Sequence, residues 1–319
     1  MGRFILKRLL WLIPVILGVT ILIFTIMYMV PGDPALIIAQ PGATEAEVNA
    51  IREEFGLDDP YITQLGRYMY NLFFRFDFGT SYLTGRSVMQ ELMTRLPRTL
   101  LVGFASMILA VGIGIPLGVI AAVYRNGWGD RISMVIALLG VSIPQFWLGL
   151  MMVILFSVKL NWLPAQGIDS VLCYIMPSVA LCFHGMAGIA RQSRSSMLEV
   201  IRADYVVTAR SKGLTEREVI IQHALPNSLM PIITLAGSQL AHIFGGAVAI
   251  ETVFSIPGVG SYLVQAINSR DYPVIEGSVI LLAIVFSVVM LLVDLAYGFF
   301  DPRIKAQFVG GKKKRGKKK

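Results

Sequence analysis

The chain has 319 residues, 55% of them hydrophobic and only 15% charged, with a formal net charge of +8. A soluble domain carries about 25% charged residues, so this balance excludes a disordered chain and argues against a water-soluble enzyme; apolar surface at this density stays dispersed only in lipid. Cys173 and Cys182 are the only cysteines, and on one helix they would stand ~13 Å apart, too far for a disulfide, so neither a disulfide framework nor a cysteine metal site is expected.

In chain order, long stretches free of Asp, Glu, Lys and Arg occupy residues 9–30, 99–124, 132–158, 170–190 and 224–250, and a sixth runs from 277 past Asp294 to Phe300. About 20 apolar residues cross a bilayer as a helix, which satisfies its own backbone groups where lipid cannot. The expectation is an all-α polytopic membrane protein of six transmembrane helices: a first at 9–30, then about 99–124, 132–158, 170–190, 226–250 and 275–300. The first stretch has a basic start, but it is longer than a secretory signal and no small-residue cleavage site follows, so it reads as an uncleaved span.

Orientation follows from the basic residues. With the N-terminus inside, the inner segments hold Arg3, Lys7, Arg8, Arg125, Arg131 and six bases between Arg191 and Arg217, then Arg303 and Lys305, while the short outer loops hold only Lys159 and Arg270. Both termini are expected in the cytoplasm. Residues 1–30 form the N-terminal segment and first span, and residues 31–98 form one long outer segment. In it Thr44 and Glu47 make a capping box that opens a helix, Gly56 ends it, and Tyr61 to Phe76 reads as an amphipathic helix with Leu65, Tyr68, Met69 and Leu72 on one face. It could cover the spans or dock a soluble outer partner. The basic tail, residues 301–319, is expected to be drawn to anionic inner-leaflet lipid.

The spans are built to pack and bend. Pro14, Pro116, Pro144, Pro177 and Pro231 lie within or at the ends of them, and Gly114-x-x-x-Gly118 is a small-residue packing pattern. Glu251 and Asp294 sit near span ends, where an acid can reach water. His184, His223 and His242 are scattered without metal-ligand spacing, so no metal site is expected. Ser142, Gln145, Ser238 and Gln239 are polar groups on apolar spans. They could line a translocation path or hold helices together.

The inner loop, residues 191–225, is the most legible segment. Ser195 to Lys212 is compatible with one helix, ended by Gly213 in the left-handed conformation with Leu214 as its apolar contact. Thr215 and Glu218 form a second capping box, starting a short helix that runs toward Leu225, before Pro226 and the fifth span. Two short helices held at an angle under the membrane make a knob for a cytoplasmic partner.

The run from Ala203 through Asp204, Tyr205, Thr208, Ala209, Arg210 and Lys212 to Gly213 and Leu214, with His223-Ala-Leu-Pro226 following, resembles the cytoplasmic coupling motif of ABC importer permeases, E-A-A-x-x-x-G-x9-I-x-L-P. Ala209, Gly213, Leu225 and Pro226 match in register. Val207 and Thr208 replace the motif's Glu and first Ala, and His223 its Ile; these departures fit the peptide-permease branch, which typically reads R-T-A-x-x-K-G, with only its first Arg missing here. The resemblance extends to Pro31-Gly-Asp-Pro34, Phe55-Gly-Leu-Asp-Asp-Pro60, Asp77-Phe-Gly-Thr-Ser81, Gly114-Ile-Pro-Leu-Gly118, Ala190-Arg-Gln-Ser-Arg194, Ser196-Met-Leu-Glu199 and Glu251-Thr-Val-Phe-Ser-Ile-Pro-Gly-Val-Gly260. These are similar to the B-type permease of dipeptide, oligopeptide and nickel importers.

That resemblance implies a type I importer permease fold over residues 95–300 in a bacterial or archaeal cell membrane. It implies a second, different permease subunit, two cytoplasmic ABC ATPases and an extracytoplasmic substrate-binding protein as partners, with no nucleic acid. It implies that Glu199, Ala203, Asp204, Tyr205, Thr208, Ala209, Arg210, Lys212, Gly213 and Leu214 meet an ATPase. The sequence lacks a G-x-x-x-x-G-K-[ST] phosphate loop, so ATP and magnesium are expected on the partner ATPases and no cofactor on this chain. Peptides are the expected substrate, with chelated nickel as the alternative. An ion-coupled transporter would want paired intramembrane charges, and an intramembrane enzyme a nucleophile or metal motif; neither pattern is found.

Overall fold

The computed structural model describes residues 2–39 and 42–300, so the basic tail lies outside the described residues. The described residues form helices, with one isolated bridge between Thr80 and Ser87. In order these are α1 (Gly2–Met29), α2 (Pro34–Ile38), α3 (Glu45–Phe55), α4 (Tyr61–Phe74), α5 (Val88–Val123), α6 (Trp128–Ser142), α7 (Gln145–Met152), α8 (Ile175–Val200), α9 (Asp204–Ser211), α10 (Glu216–Glu218), α11 (Leu225–Val253), α12 (Val259–Ser269) and α13 (Tyr272–Phe300).

Five helical segments are long and apolar enough to cross a bilayer: Leu9–Met29, Val88–Val123, Val171–Val200, Glu216–Leu240 and Tyr272–Val293. The third expected span, at 132–158, differs from expectation. Residues 132–158 do not make one helix: α6 and the segment Gln145–Lys159 meet at a bend of 103°. Pro144 is the cause. Its ring bars helical backbone at the preceding residue, and Ile143 accordingly sits at φ −87°, ψ 123°. Pro177 and Pro231 lie in helices that continue. α5 also starts eleven residues before its apolar stretch and runs 36 residues, ~54 Å at the α-helical rise.

The chain divides into two compact units. One comprises Lys7–Thr99 and Pro257–Ser287. Its core joins Ile23 and Met27 of α1, Leu72 of α4, Val88 and Leu92 at the start of α5, Val259 and Ala266 of α12, and Tyr272, Ile275 and Ile280 of α13. α3 starts on the expected capping box, Thr44 with Glu47, and stops at Gly56, whose φ is +60°. The Thr44 N–H and hydroxyl both donate to Glu47 Oε2, at 2.7 and 3.0 Å, which holds that carboxyl below its ordinary range. On α4, Leu65, Tyr68, Met69 and Leu72 turn inward while Ile62, Gly66 and Tyr70 are exposed, as the periodicity predicts. Asp271, buried just before α13, accepts from Ser81 Oγ at 2.5 Å and Tyr82 N at 3.1 Å. It pins the turn before α5 to the turn before α13.

The other unit is built on Leu100–Ile256, with the end of α13 from Val288. α8 is its axis: two thirds of the apolar window on that span is buried, against 11% for α1. Backbone contact explains the burial. A Cβ on Gly114 of α5 would come within 2.8 Å of the Met186 carbonyl, and one on Gly140 of α6 within 2.7 Å of the Phe183 carbonyl. The small-residue pattern thus seats α5 on α8, as expected of Gly-x-x-x-Gly. Glu251 is a correction: the expectation was an acid reaching water, yet it is fully buried in α11.

Candidate functional site

The inner loop forms an elbow whose parts follow from local chemistry. α8 stops at Val200, and Ala203 takes an extended conformation (φ −71°, ψ 146°). The single helix expected from Ser195 to Lys212 is therefore two: the end of α8, and α9 after a turn at residues 201–203. Asp204 begins α9, where an acid complements the positive end of the helix dipole. The three-residue link lets α9 turn its own apolar face inward. Val206 and Ala209 are buried there against Val219, with Val200 packed on them.

Gly213 ends α9 with φ +82°, the left-handed conformation expected of it. Thr215 then caps the next helix. Its N–H and hydroxyl donate to Glu218 Oε2 at 2.9 and 2.7 Å, and Glu218 N donates back to Thr215 Oγ1 at 3.4 Å. The second short helix is not separate, as the sequence suggested. α10 passes through a wider π-type turn at Val219–Ala224 directly into α11. Pro226 follows just after that turn; lacking an N–H, it donates no bond back to the preceding turn.

Arg210 fixes the angle. Its Nε and Nη2 donate to the two oxygens of Glu216 at 3.0 and 2.6 Å, and its Nη1 reaches the Ile201 carbonyl at 3.4 Å. One guanidinium thus ties the end of α8, α9 and the start of α10. Below this frame Asp204, Tyr205, Val207, Thr208, Lys212, Gly213 and Leu214 are exposed. Of the ten residues expected to meet a partner, Ala209 is buried, Ala203 and Arg210 are half-buried, and Glu199, back on α8, is exposed. Val207 was absent from that expected set, and it lies half-exposed on α9. The clamped turn thus presents three exposed apolar side chains, Tyr205, Val207 and Leu214, together with charges of both signs.

A further clamp lies at the same end of α8. Asp130, buried at the start of α6, receives Arg194 Nε and Nη2, each at 2.7 Å, and also the Asn126 N–H at 3.0 Å. Sequence reasoning missed this pair because 64 residues separate its members; the only local signal was an acid in the first turn of a span.

The four polar span residues divide. Ser142 and Ser238 are exposed, and each bonds a carbonyl of its own helix, Leu138 at 2.9 Å and Leu235 at 2.8 Å. Gln145 and Gln239 lie between helices. The Gln145 amide lies against Gly246 of α11 and the Gln239 amide against Gly188 of α8, so close that a Cβ on either glycine would push the amide aside. His184 is half-buried on α8, and no group of three metal-ligating side chains converges among the described residues.

Residues 114–306 match the family described as the binding-protein-dependent transport system inner membrane component, and residues 1–103 match that family's N-terminal part. A protein of Brucella abortus (strain 2308), provisionally named as a peptide transport system permease, is 44% identical over 96% of this chain and 99% of its own. The glutathione transport system permease protein GsiC of Escherichia coli (strain K12) is 41% identical over 96% and 99%. Among solved structures, the MetNI methionine ABC transporter in an inward-facing crystal form superposes with a TM-score of 0.57 at 23% identity, over 67% of this chain and 97% of that one. That likeness is one of fold.

Proposed function

Because the chain belongs to the family of binding-protein-dependent transport system inner membrane components, we propose that its elbow is where an ATP-driven importer transmits force to the bilayer. The chain is a multi-pass cell-membrane permease subunit of an ABC importer, with the type I importer permease fold. Membership brings ATPase and binding-protein partners.

In our reading two cytoplasmic ATPases hydrolyse ATP with magnesium, and one of them receives α9 in a surface cleft. Tyr205, Val207 and Leu214 fill that cleft, and Asp204, Thr208 and Lys212 meet its rim. Glu199, Ala203, Ala209 and Arg210 hold the helix in place. A second, different permease subunit completes the pore, and residues 95–300 supply this chain's share of it. Both termini face the cytoplasm. The observation that carries the proposal is the Arg210 tie: a surface helix merely lying on the membrane needs no bidentate brace to a neighbouring helix and the end of a span. When the ATPases close, the braced helix moves as a body with α8 and α11, and the pore changes its side of opening.

Peptides are the proposed cargo. Support comes from the peptide and glutathione names of the Brucella and Escherichia relatives and from the Thr208-Ala209-x-x-Lys212-Gly213 form of the loop. Co-purification of the tagged chain with two ATPase subunits, lost in the Tyr205→Asp/Val207→Asp double variant, tests the coupling role. Titration of the cognate binding protein with di-, tri- and longer peptides and with Ni²⁺ tests the cargo; binding of Ni²⁺ alone would overturn the peptide reading.

A further inference from the structure

A second site lies in the unit formed by Lys7–Thr99 and Pro257–Ser287. There the end of α1, the end of α3, α4, the turn before α5 and the first turns of α13 border an open cavity of about 680 Å³, within the range of small-molecule sites. The family reading gives this cavity no task.

Its chemistry is one-sided. The wall carries Asp33, Glu54, Asp58, Asp77 and Glu276 against Arg52 and Arg67. Both guanidiniums are engaged: Arg52 Nη2 donates to Asp33 at 2.5 Å, and Arg67 pairs with Asp59. Glu276 is 7% exposed and, among the described residues, forms no ion pair. A carboxylate buried without a counter-charge is costly. It was overlooked in the sequence because it bounds the sixth apolar stretch; the helix actually begins four residues earlier.

The second observation is independent. Tyr272 stands one turn before Glu276 on the same face of α13, is 7% exposed, lines the cavity, and its hydroxyl finds no hydrogen-bond partner among the described residues. The Tyr68 hydroxyl lies beside Glu276. Tyr82 packs near Tyr272 at 6.4 Å between ring centroids, Phe55 against Tyr82 at 6.0 Å, and Phe24 on Tyr68 at 5.4 Å. A buried carboxylate, an unsatisfied hydroxyl and several aromatic rings thus face one space.

A divalent metal would want several oxygen ligands, and no group of three acidic or imidazole side chains converges among the described residues. An organic ammonium needs one carboxylate, a hydroxyl acceptor and ring faces, which supply cation–π attraction. We propose that this cavity binds a primary ammonium group. Glu276 takes the charge, Tyr272 Oη accepts one N–H, and the aromatic walls hold the adjoining carbon chain. The group could be carried by a soluble amine, such as the amino terminus of a short peptide, or by the ethanolamine headgroup of a lipid.

The test uses the full chain in its importer complex, in phosphatidylglycerol nanodiscs, titrated with n-butylammonium and, as a neutral twin, n-butanol. Binding is read by saturation-transfer NMR on the butyl protons. Butylammonium should bind at least ~10-fold more tightly than butanol, Glu276→Gln should abolish that margin, and the conservative Tyr272→Phe should weaken butylammonium binding ~10-fold, as for loss of a hydrogen bond to a charged group. Equal affinity for the two probes, or an unchanged margin in both variants, would overturn the proposal. Displacement of the probe by phosphatidylethanolamine added to the discs supports the lipid source; displacement by a dipeptide but not its N-acetyl form supports the soluble one. Uptake defects at the elbow bear on none of these readings.

Discussion

Arg194 of α8 meets Asp130 of α6 through two parallel hydrogen bonds of 2.7 Å, and Asp130 is buried at the very start of its helix. The pair joins the most buried span to the first half of the broken one, a turn and a half above the elbow. The fork-to-fork geometry is what an Arg supplies and a Lys does not.

Arg194→Ala should therefore lower stability by about 2–3 kcal/mol, below the figure for a fully buried pair because the guanidinium is partly exposed. Arg194→Lys should recover less than half of that. Thermal unfolding of the detergent-purified chain checks both. Equal midpoints for wild type and Arg194→Ala would mean the pair contributes nothing.

At Gly213 a Cβ would meet nothing within 4 Å among the described residues, yet φ is +82°. A side chain there meets no clash, only backbone strain of about 1–2 kcal/mol. A graded series is expected in reconstituted vesicles: Asn close to wild type, Ala intermediate, Val lowest. ATP-driven uptake should fall by more than ~10-fold in Gly213→Val, while membrane insertion stays normal. Full uptake in Gly213→Val would remove the elbow's turn from the mechanism.

Val206 and Val207 are neighbours with opposite fates, 0% and 51% exposed. Val206→Asp buries an unpaired charge and should cost about 3 kcal/mol or more, loosening α9. Val207→Asp should leave stability within about 0.5 kcal/mol and instead weaken capture of the ATPase subunits. Protease sensitivity of the loop and pull-down yield, measured on both variants, separate the two effects. A Val207→Asp chain that still retains its ATPases would mean that α9 docks by another face.

Glu47 makes α3 sensitive to acid. Hydrogen bonds from Thr44 hold its carboxyl below the ordinary value of 4.5. A group depressed in the folded state contributes stability above its unfolded value and loses it as pH falls through the folded one. Amide exchange at residues 45–48, corrected for intrinsic rate, should accelerate between pH 4.5 and lower values. Glu47→Gln should flatten this dependence, and a wild-type profile without acceleration would show that the cap does not protect the helix.

Residues whose partners lie three or four positions away were legible from sequence. Thr44 with Glu47, Thr215 with Glu218, Gly56 and Gly213 all act within one turn, and the structure places them as their types require. The inward face of α4 followed from spacing for the same reason. What escaped depended on distant partners. Asp130 needed Arg194, and Asp271 needed Ser81 across 190 residues. Glu276 was hidden by a counting rule that ends a span at its first charge. Whether Pro144 would bend or break its span was likewise undecidable locally, because Pro177 and Pro231 sit in helices that continue.

The glycines facing α8 carry one more consequence. Gly114, Gly118 and Gly140 leave no room for even a methyl group beside the backbone of α8. In a library of random substitutions these three positions should stand as blank columns, silent for every amino acid, while exposed neighbours such as Ile108 and Leu138 accept wider variety. Inheritance along this line of descent is constrained less by what the central span is made of than by what its companions must lack.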